Sequence, residues 1–271
     1  GYTVINEPYE GMPAQEAGLK KGDIILSIND STMKGKDVSY VSDRLRGEPG
    51  TSFILKVKRP STGKVMKVKL TRRTIQMPFL PYYGMLDGGV GYMNFNSFTD
   101  QCAKDVRRAF IDLKKQGAKK LIFDLRSNGG GSVSEAVSIV NMFLPKDKTV
   151  LTMKGKLQRA NNEYKTTVEP IDTLMPIVVL VSNNTASSAE ILSGCLQDYD
   201  RAIILGTRTY GKGLVQATME LPYNGQMKLT TSKYYIPSGR CVQALNYKHA
   251  KGGYVEHVPD SLTKVFYTAG G

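Results

Sequence analysis

The 271-residue sequence predicts an α/β (α+β) core preceded by a small, mostly-β unit. Three observations carry that expectation. Strands of period two dominate residues 1–73, a Pro- and Gly-rich connector occupies 74–89, and beyond residue 90 buried strands alternate with amphipathic helices.

In the first unit, "VINEP" reads as a strand, Ala14–Ala17 as a short helix, and "IILSIN" after Gly22-Asp23 as a second strand. A polar helix follows at about residues 37–46, then two alternating strands, "GTSFILKVKRP" and "VMKVKLTR". Past the connector, "VGYMNFNSF" is a strand. Thr99 or Asp100 is expected to cap a helix that presents Ala103, Val106, Phe110 and Leu113 on one face and stops at Gly117. "KKLIFDLR", "PIVVLVS" and "RAIILG" are short buried strands, with helices expected at "SVSEAVSIVNMFL" and at about residues 187–198. A hairpin turning at Asn224-Gly225 closes the series. In such an alternating unit, the loops after parallel strands collect at one sheet edge, where sites form.

Composition narrows the function classes. Hydrophobic residues make up 41% and charged residues 23%, as in ordinary globular domains. No apolar run approaches the roughly 18–20 residues of a membrane helix. The net charge is +13, but the basic residues are scattered along the chain without a nucleic-acid motif. That charge reads as a Lys-rich surface, and nucleic acid is not an expected partner. Cys102, Cys195 and Cys241 have no C-x-x-C spacing and suggest neither a metal site nor a disulfide framework. His249 and His257 are the only histidines, both in a polar stretch that reads as an exposed loop.

Three loops carry chemistry. "DLRSNGGGS", 124–132, places three glycines after a buried strand, so backbone N–H groups can approach a phosphate or an oxyanion. "SNNTASSAEILSGCLQD", 182–198, puts Thr185, Ser187 and Ser188 where a helix begins. A hydroxyl there is either a cap or a nucleophile beside free N–H groups. "GTRTYGKGLVQ", 206–216, imitates a phosphate-binding loop, G-x-x-x-x-G-K. However, Gly213 stands where a magnesium-ligating Ser or Thr is needed, and "LVQATMEL" behind it alternates like a strand. Lys212 therefore reads as a base. A lysine base must be neutral near pH 7, against an ordinary pKa of about 10.4, and an apolar pocket favours the neutral form. On a regular strand, Gln216 would share the face of Lys212 and could orient its amine.

These motifs, in this order, resemble the C-terminal processing peptidases, or tail-specific serine proteases. That family's pattern is D-L-R-x-N-x-G-G, then [ST]-A-S-x-[SA]-E-[IL], then G-x-x-[TS]-[FY]-G-K-G-x-V-Q. "YYIPSGRCVQ" is similar to its later Y-x-x-P-x-G-R-x-[IV]-Q, and "ALNYKHAKGGYVEHVPDSL" resembles the Bacteroidetes-type branch. "EGMPAQEAGLKKGDIILSIND" with "LRGEPGTSFILKVKR" resembles a PDZ domain.

The resemblance implies a protease core of crotonase-like ββα type at 90–271, incomplete at its C-terminal end, and a PDZ domain at 1–73 whose carboxylate-binding loop lies upstream of Gly1. It implies Ser187 as nucleophile, Lys212 as general base, Gln216 as the residue orienting it, and the N–H groups of Gly131 and Ser188 as an oxyanion hole. Ser188-Ala189 departs from the family's common Ala-Ser, at a position that contributes only its backbone. Protein or peptide substrates with free C-termini are implied, without cofactor or metal, together with a periplasmic or other extracytoplasmic location and membrane association through an upstream segment. Two other readings stay open: a non-catalytic PDZ scaffold on a degenerate protease fold, and a crotonase-like acyl-CoA enzyme.

Overall fold

The computed structural model describes residues 1–9, 11–75, 78–246, 256–257 and 264–271. The chain forms two compact units, Gly1–Met77 and Pro78–Gly271.

In the first unit, Pro13 opens the one-turn helix α1 (Pro13–Glu16), where its missing N–H costs nothing. Strands β1 (Ile24–Ile28) and β2 (Ser31–Thr32) precede helix α2 (Val38–Leu45), whose first turn is capped by Asp37 accepting from the Tyr40 N–H at 2.7 Å. Strands β3 (Ser52–Lys58) and β4 (Val65–Thr71) complete an antiparallel sheet of order β2-β1-β3-β4. Alternation sends Phe53, Leu55, Val57 and Leu70 inward against Ile25, Ile28 and Val41. Val4 makes only an isolated bridge to Ile24, where "VINEP" suggested a full strand. Buried Asp23 accepts from both Nε and Nη2 of Arg59, and that guanidinium holds its carboxyl below the usual range. A cleft of about 590 Å³ lies between residues 3–9 and α2, lined by Val4, Ile5, Val38, Val41 and Leu45 among others.

The second unit opens with β5 (Tyr82–Leu86), inside the expected connector. β6 (Val90–Asn94), α3 (Cys102–Lys115), β7 (Lys120–Asp124), α4 (Val133–Val140), β8 (Thr149–Gly155) and β9 (Asn162–Lys165) follow. Then come β10 (Ile177–Val181), α5 (Ser188–Asp198), β11 (Ile203–Gly206), β12 (Leu214–Leu221) and β13 (Gly225–Tyr235). Leu245–Asn246 (β14) pairs with Glu256–His257 (β15). The rest of the stretch around the two histidines lies outside the described residues.

One sheet runs β11-β10-β7-β6-β5, parallel except for the β5–β6 pair, and a second, antiparallel sheet runs β12-β13-β8-β9. The core packs Phe95, Phe110, Phe123 and Phe143 with Val179, Leu192 and Tyr234.

Two local expectations shift. Helix α3 is preceded by Gln101 in the left-handed region, and no side chain of its own caps it; Glu135, at the start of α4, accepts from the Ala103 N–H at 2.7 Å instead. The hairpin turn centres on Tyr223 and Asn224, both at positive φ, and Gly225 already begins β13. Among the described residues no helix is long and apolar enough to cross a membrane.

Candidate active site

Strands β7, β10 and β11 are parallel, so their C-terminal ends deliver three loops to one edge. Buried Asp124 ends β7. Burial pushes its carboxyl up, but hydrogen bonds from Arg126 and from the Tyr92 hydroxyl (2.7 Å) outweigh burial and hold it below the usual range. Buried Asn128 then fixes the glycines. Its Nδ2 donates to the Phe95 carbonyl, its Oδ1 accepts from the Gly130 N–H at 2.9 Å, and its backbone carbonyl accepts from the Ala186 N–H. A Cβ on Gly130, at φ +95, would lie 2.7 Å from the Cβ of Ser187 and 3.0 Å from the Ser188 nitrogen. The backbone of the first loop thus touches the second where only glycine fits.

In the second loop, Thr185 is fully buried. Its hydroxyl donates to the Leu125 carbonyl at 2.8 Å, and its own carbonyl accepts from the Tyr210 N–H of the third loop at 2.9 Å. Ser187 follows, half-buried, at φ 56 and ψ −119, an unfavourable conformation for a non-glycine residue. Such strain recurs where a strand-to-helix turn presents a nucleophile. The Ser188 hydroxyl donates to the Gly131 carbonyl at 2.8 Å. Among the described residues, the N–H groups of Gly131 and Ser188 have no hydrogen-bond partner in the protein.

The third loop explains the glycines around Lys212. Gly211, at φ +84, packs against Ala244, and Gly213 against Gln243, with the Gly213 N–H donating to Gln243 Oε1 at 2.7 Å. A side chain at either position would collide with residues 243–244. The chain continues into strand β12, so no helix end faces Lys212 as a phosphate loop requires.

Two buried groups clasp these loops together. Glu190, 2% exposed, accepts four hydrogen bonds: from the N–H groups of Ser187 (2.8 Å), Lys212 (2.8 Å) and Gly211 (2.7 Å), and from the Thr209 hydroxyl (2.7 Å). Tyr234, 1% exposed, lies on β13 with its hydroxyl 3.1 Å from the Ser187 carbonyl and 2.5 Å from the Lys212 carbonyl. Burial raises the phenol pKa well above its ordinary value, so its proton remains available to the two carbonyls.

Ser187, Ser188, Gly131 and Lys212 thus meet at one place. Gln216 does not join them by any described hydrogen bond. Its side chain is exposed, and Lys212 lies ahead of β12, which begins at Leu214, so strand alternation does not extend back to Lys212; the irregularity in this ladder is an extra residue, Thr231, on β13. Glu190, Tyr234 and Asn128 were not singled out from sequence, whereas Thr185 is read with Ser187 and Ser188 as a hydroxyl at the helix start, and its own hydroxyl is taken by the Leu125 carbonyl. Ser187-x-x-Glu190 is a capping-box pattern that signals Glu190.

Residues 89–248 match the sequence model of peptidase family S41, and residues 4–59 that of the PDZ domain. The chain is similar to a carboxy-terminal-processing protease of Bartonella bacilliformis, at 33% identity over 245 residues, covering 89% of this chain and 56% of that protein. It is 34% identical over 254 residues to a CtpA-like serine protease of Staphylococcus aureus, covering 92% of this chain and 48% of that protein. The chain therefore spans about half the length of the curated relatives it matches. Among solved structures it is similar to the photosystem II D1 C-terminal processing protease, with a TM-score of 0.60 and 28% identity, over 89% of this chain and 67% of that one.

Proposed function

This chain belongs to peptidase family S41 and carries a PDZ domain, and from that premise we propose that it is a serine endopeptidase that cleaves polypeptides near their C-termini through Ser187 and Lys212. The observation that carries this reading is the double clasp. Glu190 takes the N–H groups, and Tyr234 faces the carbonyls, of both Ser187 and Lys212, residues 25 apart in sequence.

In the mechanism, the neutral Lys212 amine accepts the proton of the Ser187 hydroxyl, and the Ser187 oxygen attacks the scissile carbonyl carbon. The N–H groups of Gly131 and Ser188 stabilise the oxyanion at the start of α5, where the helix dipole adds to them. As the tetrahedral intermediate collapses, the Lys212 ammonium returns the proton to the leaving amine, and an ester to Ser187 remains. Water, deprotonated by the same amine, hydrolyses that ester and regenerates both residues. No metal or cofactor takes part. Gln216, four residues beyond Lys212 on the strand that follows it, is assigned the role of orienting the amine.

The cleft between residues 3–9 and α2 supports a role for the PDZ domain in holding a chain terminus by strand addition. An extracytoplasmic location follows the family resemblance.

The test is cleavage of an unfolded polypeptide by the wild type and by the Ser187→Ala and Lys212→Ala variants. Each substitution is expected to lower kcat/KM by at least about a thousandfold with folding intact. Undiminished cleavage by Ser187→Ala would remove the dyad, and no cleavage by any of the three proteins would favour the scaffold reading. An acyl-CoA hydrolase would leave the polypeptide intact and consume thioesters.

A further inference from the structure

Part of the basic charge is concentrated in one stretch of the PDZ unit. Between Glu48 and Asp87 the chain has no acidic residue, and its basic ones are Lys56, Lys58, Arg59, Lys64, Lys67, Lys69, Arg72 and Arg73. The three arginines are engaged elsewhere: Arg59 pairs with buried Asp23, Arg72 lies over the Phe53 ring, and Arg73 pairs with Glu16. The lysines are different. Because Phe53, Leu55, Val57, Met66, Val68 and Leu70 face the core, alternation turns Lys56 and Lys58 on β3, and Lys67 and Lys69 on β4, to the opposite face. Lys64 stands exposed just before β4.

Register sharpens the crowding. Lys56 pairs directly with Lys67, Ile54 with Lys69 and Lys58 with Val65. Directly opposed side chains start about 5 Å apart, and residues two apart on a strand about 7 Å apart, so each of the four charges lies within about one Debye length of its neighbours. Like charges opposed across a ladder destabilise it. Of these lysines, only Lys67 has an ion-pair partner among the described residues, the exposed Asp30 at 3.7 Å. Lysines on an edge strand can guard against unwanted strand pairing, which accounts for Lys67 and Lys69 on β4. It does not account for Lys56 and Lys58, because β3 lies between β1 and β4.

We propose that this outward β3–β4 face is a docking surface for an anionic lipid bilayer. A bilayer fits a broad sheet face that carries cations in its middle and the exposed apolar side chains of Ile54 (43% exposed) and Val65 (49% exposed) at its two ends. The lysines meet headgroup charge while the two apolar side chains enter the interface. Nucleic acid fits less well, because the outward positions of β3 and β4 are Ser52, Ile54, Lys56, Lys58, Val65, Lys67, Lys69 and Thr71, with no aromatic ring on which a base could stack. The inference does not depend on the Ser187–Lys212 reading.

The experiment is co-sedimentation of the whole chain with phosphatidylcholine vesicles, with and without about one third phosphatidylglycerol, at about 0.1 M salt. Binding is expected only to the anionic vesicles and should weaken as salt rises. Replacing Lys56, Lys58 and Lys69 together by Gln should weaken it about a hundredfold, since each lysine near such a surface contributes about fivefold. The same triple variant should melt no lower than the wild type and keep its rate on a soluble substrate. A second triple variant, Lys104→Gln, Arg107→Gln and Lys115→Gln on α3, should bind like the wild type. Equal loss in both triple variants would reduce the effect to net charge and overturn the proposal. Tighter binding to an oligonucleotide or to polyglutamate than to the vesicles would overturn it as well.

Discussion

The loop cluster around Glu190 and the lysine face of the PDZ unit treat charge in opposite ways. At the first, a buried carboxylate receives four donors, and a buried phenol faces two carbonyls. At the second, half-buried Lys56 stands opposite exposed Lys67 at the surface. A buried, fully hydrogen-bonded group fixes geometry, because every alternative leaves polar atoms unpaired at about 1–3 kcal/mol each. A like-charge pair at the surface fixes nothing and costs a few tenths of a kcal/mol until an anion meets it. The difference separates a place built to hold atoms still from a surface that uses long-range attraction. Substitutions that remove polar groups should therefore damage the first region and relieve the second.

The largest effect is expected from Glu190→Gln. The amide keeps the shape but replaces one acceptor oxygen with a donor facing N–H groups. Stability should fall by about 3 kcal/mol and kcat by about a hundredfold, with KM little changed. Thermal denaturation and steady-state kinetics on one preparation measure both. A KM effect alone would mean that Glu190 shapes the substrate cleft and not the Ser187–Lys212 geometry.

Next comes a carboxylate away from the site. Asp172 is half-buried beside Lys114; burial raises its pKa, but the Lys114 ammonium and the N–H groups of Met175 and Leu174 prevail and bring it down to about 2. Its folded pKa lies below the unfolded value, so its contribution is complete above about pH 4 and is lost as pH falls toward 2. The contribution is on the order of 2 kcal/mol. Asp172→Asn should lower stability at pH 7 by about that amount and flatten the acid limb of the stability curve between pH 4 and 2. An unchanged acid limb would show that the ion pair contributes nothing to the folded state.

Tyr234→Phe removes one hydroxyl from between the two carbonyls and leaves the ring packing intact. About 1 kcal/mol and about a tenfold loss in kcat are expected. Lys56→Gln should act in the opposite direction, raising stability by a few tenths of a kcal/mol and leaving kcat unchanged. A destabilising Lys56→Gln would end the contrast between the two regions.

Much of this contrast was legible in the sequence, though unevenly. The three loops could be read because each follows a short apolar strand, and parallel strands send their loops to a common edge. Ser187, Lys212, Gly131 and Ser188 follow from those loops and their motifs. Glu190 and Tyr234 were harder, since their partners lie up to 47 residues away and leave no periodic trace. The Ser187-x-x-Glu190 spacing was the one local sign of the clasp. The place of Gln216 was less legible, because alternation holds only within a strand and β12 begins at Leu214, after Lys212. Likewise, the period-two pattern of β3 and β4 already turned their lysines outward. Only the register, which brings Lys56 opposite Lys67, needed the fold.

The central claim is that Ser187 becomes acylated with Lys212 as its base. Intact-mass spectrometry of the protein mixed with an activated peptide ester, followed by peptide mapping, tests this directly. A single acyl adduct on Ser187 is predicted in the wild type, strongly reduced in Lys212→Ala and absent in Ser187→Ala. Turnover without any adduct on Ser187, or an adduct that maps to Cys241 instead, would contradict the account.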